Sequence, residues 1–213
     1  MNIILDNVMP HPLSSIEHSS DSIWGNHVLL EEGKKILLNA SSGKGKSTFT
    51  LTTLGLRSDY NGKVMYDDQE IKNFTPADWT RIRTSVISVV FQDLQLFPKL
   101  TVGENLLIKN ELTNTFSEDK LREMLELLGI GNKWDQECGL LSMGQQQRVA
   151  IIRALSQPYE WLIMDEPFSH LDKENASKCL ELINNRTTEQ GAGFVLTTLG
   201  DSHGYMYDQE LKL

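Results

Sequence analysis

The stretch KKILLNASSGKGKSTFTLTTL, from Lys34 to Leu54, decides the fold. A short apolar run suited to a buried strand comes first. A loop rich in serine, glycine and lysine follows, then a segment with the look of a helix stopped near Gly55. Strand, loop and helix in that order can cradle a phosphate. Backbone N–H groups must turn inward towards the anion, and glycine allows both the close approach and the unusual dihedral angles. Gly43 and Gly45 supply that freedom, and Lys44 adds positive charge. Lys46 is placed to reach the β- and γ-phosphates, and the Ser47 hydroxyl to hold Mg2+. Ser42 and Thr48 flank the cradle, and the new helix points its positive N-terminal end at the anion. The pattern G-x-x-x-x-G-K-[ST] is met from residue 40 to 47 except at its first position, where Ala40 brings one methyl.

Outward from this loop, strands and helices alternate. NIILDNV (residues 2–8) reads as a strand, MPHPLSSIEHSSD (9–21) as a loop and SIWGNHVLL (22–30) as a second strand. Asn61-Gly62 is a turn signal, and KVMYDDQEI (63–71) suggests a hairpin arm or two short strands. Ser85 to Phe91 is a β-branched run suited to a buried strand. Thr101-Val102-Gly103-Glu104 fits a capping box at a helix start, and Leu121, Met124, Leu125 and Leu128 recur at helical spacing up to Gly129. Further helices are expected from Ser142 to about Ser156 and from about Lys173 to Gln190, with GFVLTTL (193–199) as the last core strand and a small hairpin around Asp208. The alternation predicts an α/β fold with a parallel sheet, interrupted by a mostly helical insert between about 98 and 157.

The chain of 213 residues reads as one domain with a single sizeable core. Twenty Lys and Arg against 29 Asp and Glu give a net charge of −9, which excludes a broad basic face for nucleic acid and leaves room for a local basic pocket. Cys138 and Cys179 stand in no metal-ligand spacing. Asp6 follows only three apolar residues, so no signal peptide is expected, and no 18-residue apolar run can span a membrane. A cytoplasmic protein is the expectation.

Trp161 to Glu166, WLIMDE, is an apolar strand closed by two acids. Asp165 can hold the shell of Mg2+, and Glu166 can polarise a water for in-line attack on a γ-phosphate. Solvated acids at a strand end are ordinary, but beside a phosphate loop they indicate nucleotide hydrolysis. The run Leu141-Ser142-Met143-Gly144-Gln145-Gln146-Gln147-Arg148 resembles the signature of ATP-binding cassette (ABC) ATPases, with Gly144 lying 21 positions before Asp165. Ser169-His170-Leu171-Asp172 resembles the family's D-loop, and Gln92 in VVFQDLQLFP its Q-loop glutamine. LTVGEN (100–105) is similar to the cassettes that serve macrolide, lipoprotein or cell-division permeases. The resemblance covers the whole chain, with the motifs in order. It implies a P-loop NTPase fold with a RecA-like, mostly parallel sheet core, a small antiparallel β subdomain and an inserted α-helical subdomain. It implies ATP and Mg2+ as cofactors, with Ser47, Gln92 and Asp165 about the metal. A second cassette, identical or not, is implied as well, its Ser142, Gly144 and Gln145 closing on ATP held by the first. On its own chemistry the S-x-x-Q run is a capping box, and a capped helix start rich in N–H donors also suits an anion.

Two departures from the family pattern stand out. Where the family carries a switch histidine after the last core strand, this chain has Thr198, and His203 comes five positions later, in reach only if the loop is rearranged. A hydroxyl donates one hydrogen bond without the reach or charge of imidazole, and losing such a contact costs on the order of 3 kcal/mol in the transition state. Where the family stacks adenine on an aromatic ring, Pro10 to Ser14 offers none, leaving His11 or Leu13 as a poorer face. Trp24 reads instead as core, and appreciable use of GTP or CTP is expected. The resemblance implies an ATPase subunit held at the inner face of the membrane by a separate permease. That permease is expected to meet the surface near 93–110, where Leu96 and Phe97 are either docking patch or packed under the insert. A nucleotide-binding module that hydrolyses slowly and regulates a membrane complex is the alternative.

Overall fold

Parallel strands covered on both faces are apolar through their length, and three short apolar runs of the chain meet side by side. In the computed structural model, which describes residues 1–41 and 43–213, β3 (Lys35–Asn39), β7 (Trp161–Asp165) and β8 (Gly193–Thr198) form the middle of a five-stranded sheet. β6 (Ile87–Val90) and β9 (Gln209–Lys212) close its edges in the order β6-β7-β8-β3-β9, all neighbours parallel. Every residue of β7 and β8 is buried. A second, antiparallel sheet of four strands, order β2-β1-β4-β5, joins β1 (Ile3–Pro10), β2 (His27–Leu30), β4 (Tyr60–Tyr66) and β5 (Gln69–Glu70).

Alternate residues of the parallel strands feed two cores. Ile36, Leu38, Ile163 and Val195 pack with Phe49 and the antiparallel sheet, while Leu37, Leu162, Met164 and Leu196 pack towards the helices of the other face. α1 (Lys46–Thr53) follows the phosphate loop, and α6 (Lys173–Glu189) returns the chain to β8. Between β6 and β7 lie α3 (Val102–Asn110), α4 (Glu118–Leu127) and α5 (Met143–Leu155). Capping boxes close both α3 (Thr101 with Glu104) and α5 (Ser142 with Gln145), as their sequences specify.

Four local readings are corrected. Asn61-Gly62 lies inside β4, opposite a register shift between Asp6 and Met9, so it serves a bulge; the hairpin turns at Asp67 and Asp68 instead. The segment 22–30 is a strand only over His27–Leu30, and β1 runs on into the expected loop as far as Pro10. Residues around Asp208 make no hairpin: β9 is an edge strand parallel to β3, held at its start by Asp208, whose carboxylate accepts from the Lys35 N–H at 2.8 Å. α2 (Pro76–Ser85) was not expected, although Thr75-Pro76 with Asp78 spells a capping box with proline at the first position. No helix among the described residues is long and apolar enough to cross a membrane.

Candidate functional site

The loop between β3 and α1 is built around Lys46, only 6% exposed. Its ammonium donates to the carbonyls of Ala40 at 3.2 Å and Ser41 at 3.3 Å, and pairs with Glu166 Oε1 at 3.3 Å. The phosphate loop and the acid after β7 therefore meet at one cation. Ala40 has no positive φ, so the missing first glycine asks nothing unusual of the backbone. Gly45 differs: φ is +105°, and a Cβ there would meet Leu13 Cδ1 at 2.5 Å and Trp24 Nε1 at 3.1 Å. Trp24 is buried as expected, and its indole N–H donates to the Lys44 carbonyl at 3.2 Å, bracing the loop from behind. The Lys44 ammonium turns to the Glu17 carbonyl at 2.9 Å, away from the cradle. Thr48 is half-buried in the first turn of α1, and Ser42 lies outside the described residues.

The Ser47 hydroxyl donates to Gln92 Oε1 at 3.2 Å. Ser47, Gln92 and Asp165 all line one cavity of about 1020 Å³, whose outer wall carries the exposed Leu56, Phe97 and Ile108. A hydroxyl, an amide oxygen and one carboxylate are hard oxygen donors. Mg2+ binds through one or two carboxylates and completes its shell with phosphate oxygens and water, so this donor set fits it. Asp165 is 2% exposed, and its Oδ1 accepts from the Thr197 hydroxyl at 2.8 Å; the same hydroxyl accepts from the Glu166 N–H at 3.2 Å. Thr197 thus sets the two acids relative to each other. No sequence signal distinguished it from Thr198. Glu166 has φ of +49°, a left-handed conformation of the kind that persists at functional sites.

Thr198 falls where position predicts, but its hydroxyl is occupied by its own loop. It donates to the Asp201 carbonyl at 3.0 Å and accepts from the N–H groups of Gly200 at 3.3 Å and Asp201 at 3.1 Å. The turn it makes brings His203 back. His203 lines a cavity of about 260 Å³ together with Glu166, Ser169 and Thr198. Its ring packs edge-on against Phe168 at 4.9 Å, with Nδ1 3.6 Å from Asp201 Oδ2. Leu13 is buried against the loop, while His11 is exposed.

Ser142, Gly144 and Gln145 are not among the residues lining either cavity. They sit at the exposed or half-buried start of α5, against the turn 169–172. Gly144 is required there by a close approach, since a Cβ would lie 2.7 Å from the His170 carbonyl oxygen. Gln147, 1% exposed, ties the same turn: its Nε2 donates to Ser169 Oγ at 2.8 Å and its Oε1 accepts from the His170 N–H at 2.9 Å.

The family model described as ABC transporter matches residues 26–169, more than half of the chain. Over 197 residues the chain is 32% identical to the lipoprotein-releasing system ATP-binding protein LolD of Myxococcus xanthus (strain DK1622), covering 91% of this chain and 88% of that one. Its fold matches the dimeric structure of MJ0796, a bacterial ABC transporter cassette, with a TM-score of 0.83 and 26% identity, covering 99% of this chain and 94% of that one. A dimeric post-hydrolysis state of MJ0796 bound to ADP and Pi matches with a TM-score of 0.79 and 25% identity, covering 98% and 96%.

Proposed function

Because the chain belongs to the ABC transporter family as an ATP-binding cassette, we propose that it hydrolyses ATP in a dimer of cassettes and so drives a separate membrane permease. The observation that carries this reading is the junction at Lys46, where the phosphate loop and Glu166 share one buried cation. A triphosphate entering the loop replaces the Ala40 and Ser41 carbonyls as acceptor of the Lys46 donors. Backbone donors around Gly43, Lys44 and Gly45 and the start of α1 hold the remaining oxygens. Ser47, Gln92 and Asp165 would hold Mg2+, which, when bound, neutralises charge on the phosphate oxygens. The Glu166 carboxylate takes a proton from the attacking water as its oxygen bonds to the γ-phosphorus and the bond to ADP breaks. Ser142, Gly144 and Gln145 of the second cassette, identical or not, supply the facing donors. The permease docks over the wall of Phe97 and Ile108; Phe97 is 51% exposed, whereas Leu94 is buried and Leu96 half-buried. The cassette thereby sits on the cytoplasmic face of the membrane without entering it.

One observation favours the slower alternative, a regulatory nucleotide-binding module: the Thr198 hydroxyl is committed to its own turn. The imidazole of His203, in the cavity beside Glu166, is the group that would offset this. Turnover of the purified chain with Mg2+ and ATP, alone and with a reconstituted permease, separates the two. Glu166→Gln is expected to lower turnover by at least about 100-fold while leaving nucleotide binding and dimerisation intact. His203→Ala is expected to lower it by about tenfold or more. Unchanged turnover in Glu166→Gln refutes the assignment of the base, and turnover absent with and without permease leaves the regulatory module as the function.

A further inference from the structure

The segment after Gln92 is clamped from the helices between β6 and β7. Arg153, on α5, reaches it with two parallel hydrogen bonds: Nη2 donates to the Leu94 carbonyl and Nη1 to the Gln95 carbonyl, each at 2.7 Å. Leu94 and Gln95 are consecutive and both left-handed, with φ of 59° and 49°. Residues with a Cβ visit that region rarely and seldom in pairs, so the turn depends on what surrounds it. Leu94 is 3% exposed and cannot swing outward. Phe97, three residues after Leu94, is held in turn by the fully buried Asn105 of α3, which accepts from the Phe97 N–H at 2.9 Å and donates to the Phe97 and Thr101 carbonyls at 3.0 and 2.9 Å. Residues 94–101 therefore follow the helices, while two positions upstream Gln92 is tied to Ser47 of the phosphate loop. Arg153 also lines the large cavity that Ser47, Gln92 and Asp165 share.

We infer that Arg153 is a positioning residue for Gln92, converting the attitude of the helical insert into the placement of the glutamine amide at the phosphate loop. A planar guanidinium suits this task because its two donors fix direction as well as distance, which an ammonium does not. A change in the angle of α5, whether from a second cassette at its N-terminal end or a permease against the cavity wall, pulls the Leu94–Gln95 turn and withdraws Gln92 from Ser47. The inference rests on the reading of Ser47 and Gln92 as holders of Mg2+.

The test is a double-mutant cycle on the intact chain. It reads the Mg2+ concentration at half-maximal binding of a fluorescent N-methylanthraniloyl-ATP, with melting temperature recorded for each variant. Gln92→Ala and Arg153→Met are each expected to raise that concentration by about tenfold, as losses around a metal do, and the double variant to raise it no further. Arg153→Lys, which keeps the charge and most of the packing, is expected to behave like Arg153→Met; it stands in for that variant should Arg153→Met not fold. Multiplying effects in the double variant, or a normal Mg2+ requirement in folded Arg153→Lys, overturn the inference. A wild-type chain that binds no magnesium nucleotide overturns the reading of the site itself, and this inference with it. Wild-type binding with additive variants removes only Arg153.

Discussion

At the scale of the residue, the phosphate loop shows which parts of a motif are chemistry and which are habit. Gly45 has to be glycine because its backbone is left-handed and Leu13 and Trp24 crowd the space a side chain would fill. Gly45→Ala is expected to cost about 1–2 kcal/mol from the backbone alone, and more from the clash. For a chain of this size that lowers Tm by at least about 2 °C, measurable by thermal melting, with weaker nucleotide binding. Ala40→Gly, by contrast, should leave binding unchanged, since Ala40 holds an ordinary conformation and contributes its carbonyl and N–H, which glycine also has. Lys46, Ser47, Gln92, Asp165 and Glu166, which meet in the structure, were legible in the sequence because the proposed phosphate and metal chemistry calls for those types at that spacing. Thr197 and Arg153 were not. Their roles consist of hydrogen bonds to backbone and carboxylate across long sequence separations, and a threonine in a strand or an arginine in a helix carries no mark of what it will face. For Lys44 the charge in the loop is visible in the sequence, but the carbonyl of Glu17 that its ammonium meets is not.

At the scale of the element, the starts of α3 and α5 were readable, while the cap of α2 went unread and the edge strand β9 was mistaken for a hairpin arm. Capping is local, so Thr101 with Glu104 and Ser142 with Gln145 could be read from four residues each. β9 alternates exposed and half-buried positions as a hairpin arm would, and only its pairing with β3 shows that it is a parallel edge. The caps also set the response to acid. Asp78 is held below its ordinary 3.8 by the Thr75 hydroxyl, Asp172 below 3.8 by the Asn175 N–H, and Glu104 below 4.5 by the Thr101 N–H. A carboxylate whose pKa is lowered in the folded chain stabilises it fully above the unfolded value. That contribution disappears as pH falls through the folded value. Tm is therefore expected to hold from neutral pH down to about 5 and to decline below about 4. Asp78→Asn should flatten that drop, as melting curves across pH 7 to 3 would register.

At the scale of the whole molecule, the parallel sheet delivers the phosphate loop from β3 and the two acids from β7 to the same end, with β8 and its Thr197 between them. Helix α5 begins elsewhere, so one chain offers two unlike half-surfaces, and the proposed dimer is what opposes them. What joins the halves within a chain is the contact of Gly144 with His170 and of Gln147 with Ser169, in the turn whose Ser169 N–H returns to the Glu166 carbonyl at 3.3 Å. The start of α5 thus leans on the turn that follows Glu166. In the proposed dimer, occupancy at one site would strain the other, so the pair should not behave as two independent catalysts. Turnover plotted against ATP concentration is expected to be sigmoidal, with a Hill coefficient above 1 and at most about 2. Gly144→Ala, which forces the turn aside and displaces the donors at the start of α5, should lower turnover as well as this sigmoidicity. A single missing methyl group would then hold the two halves of each chain together.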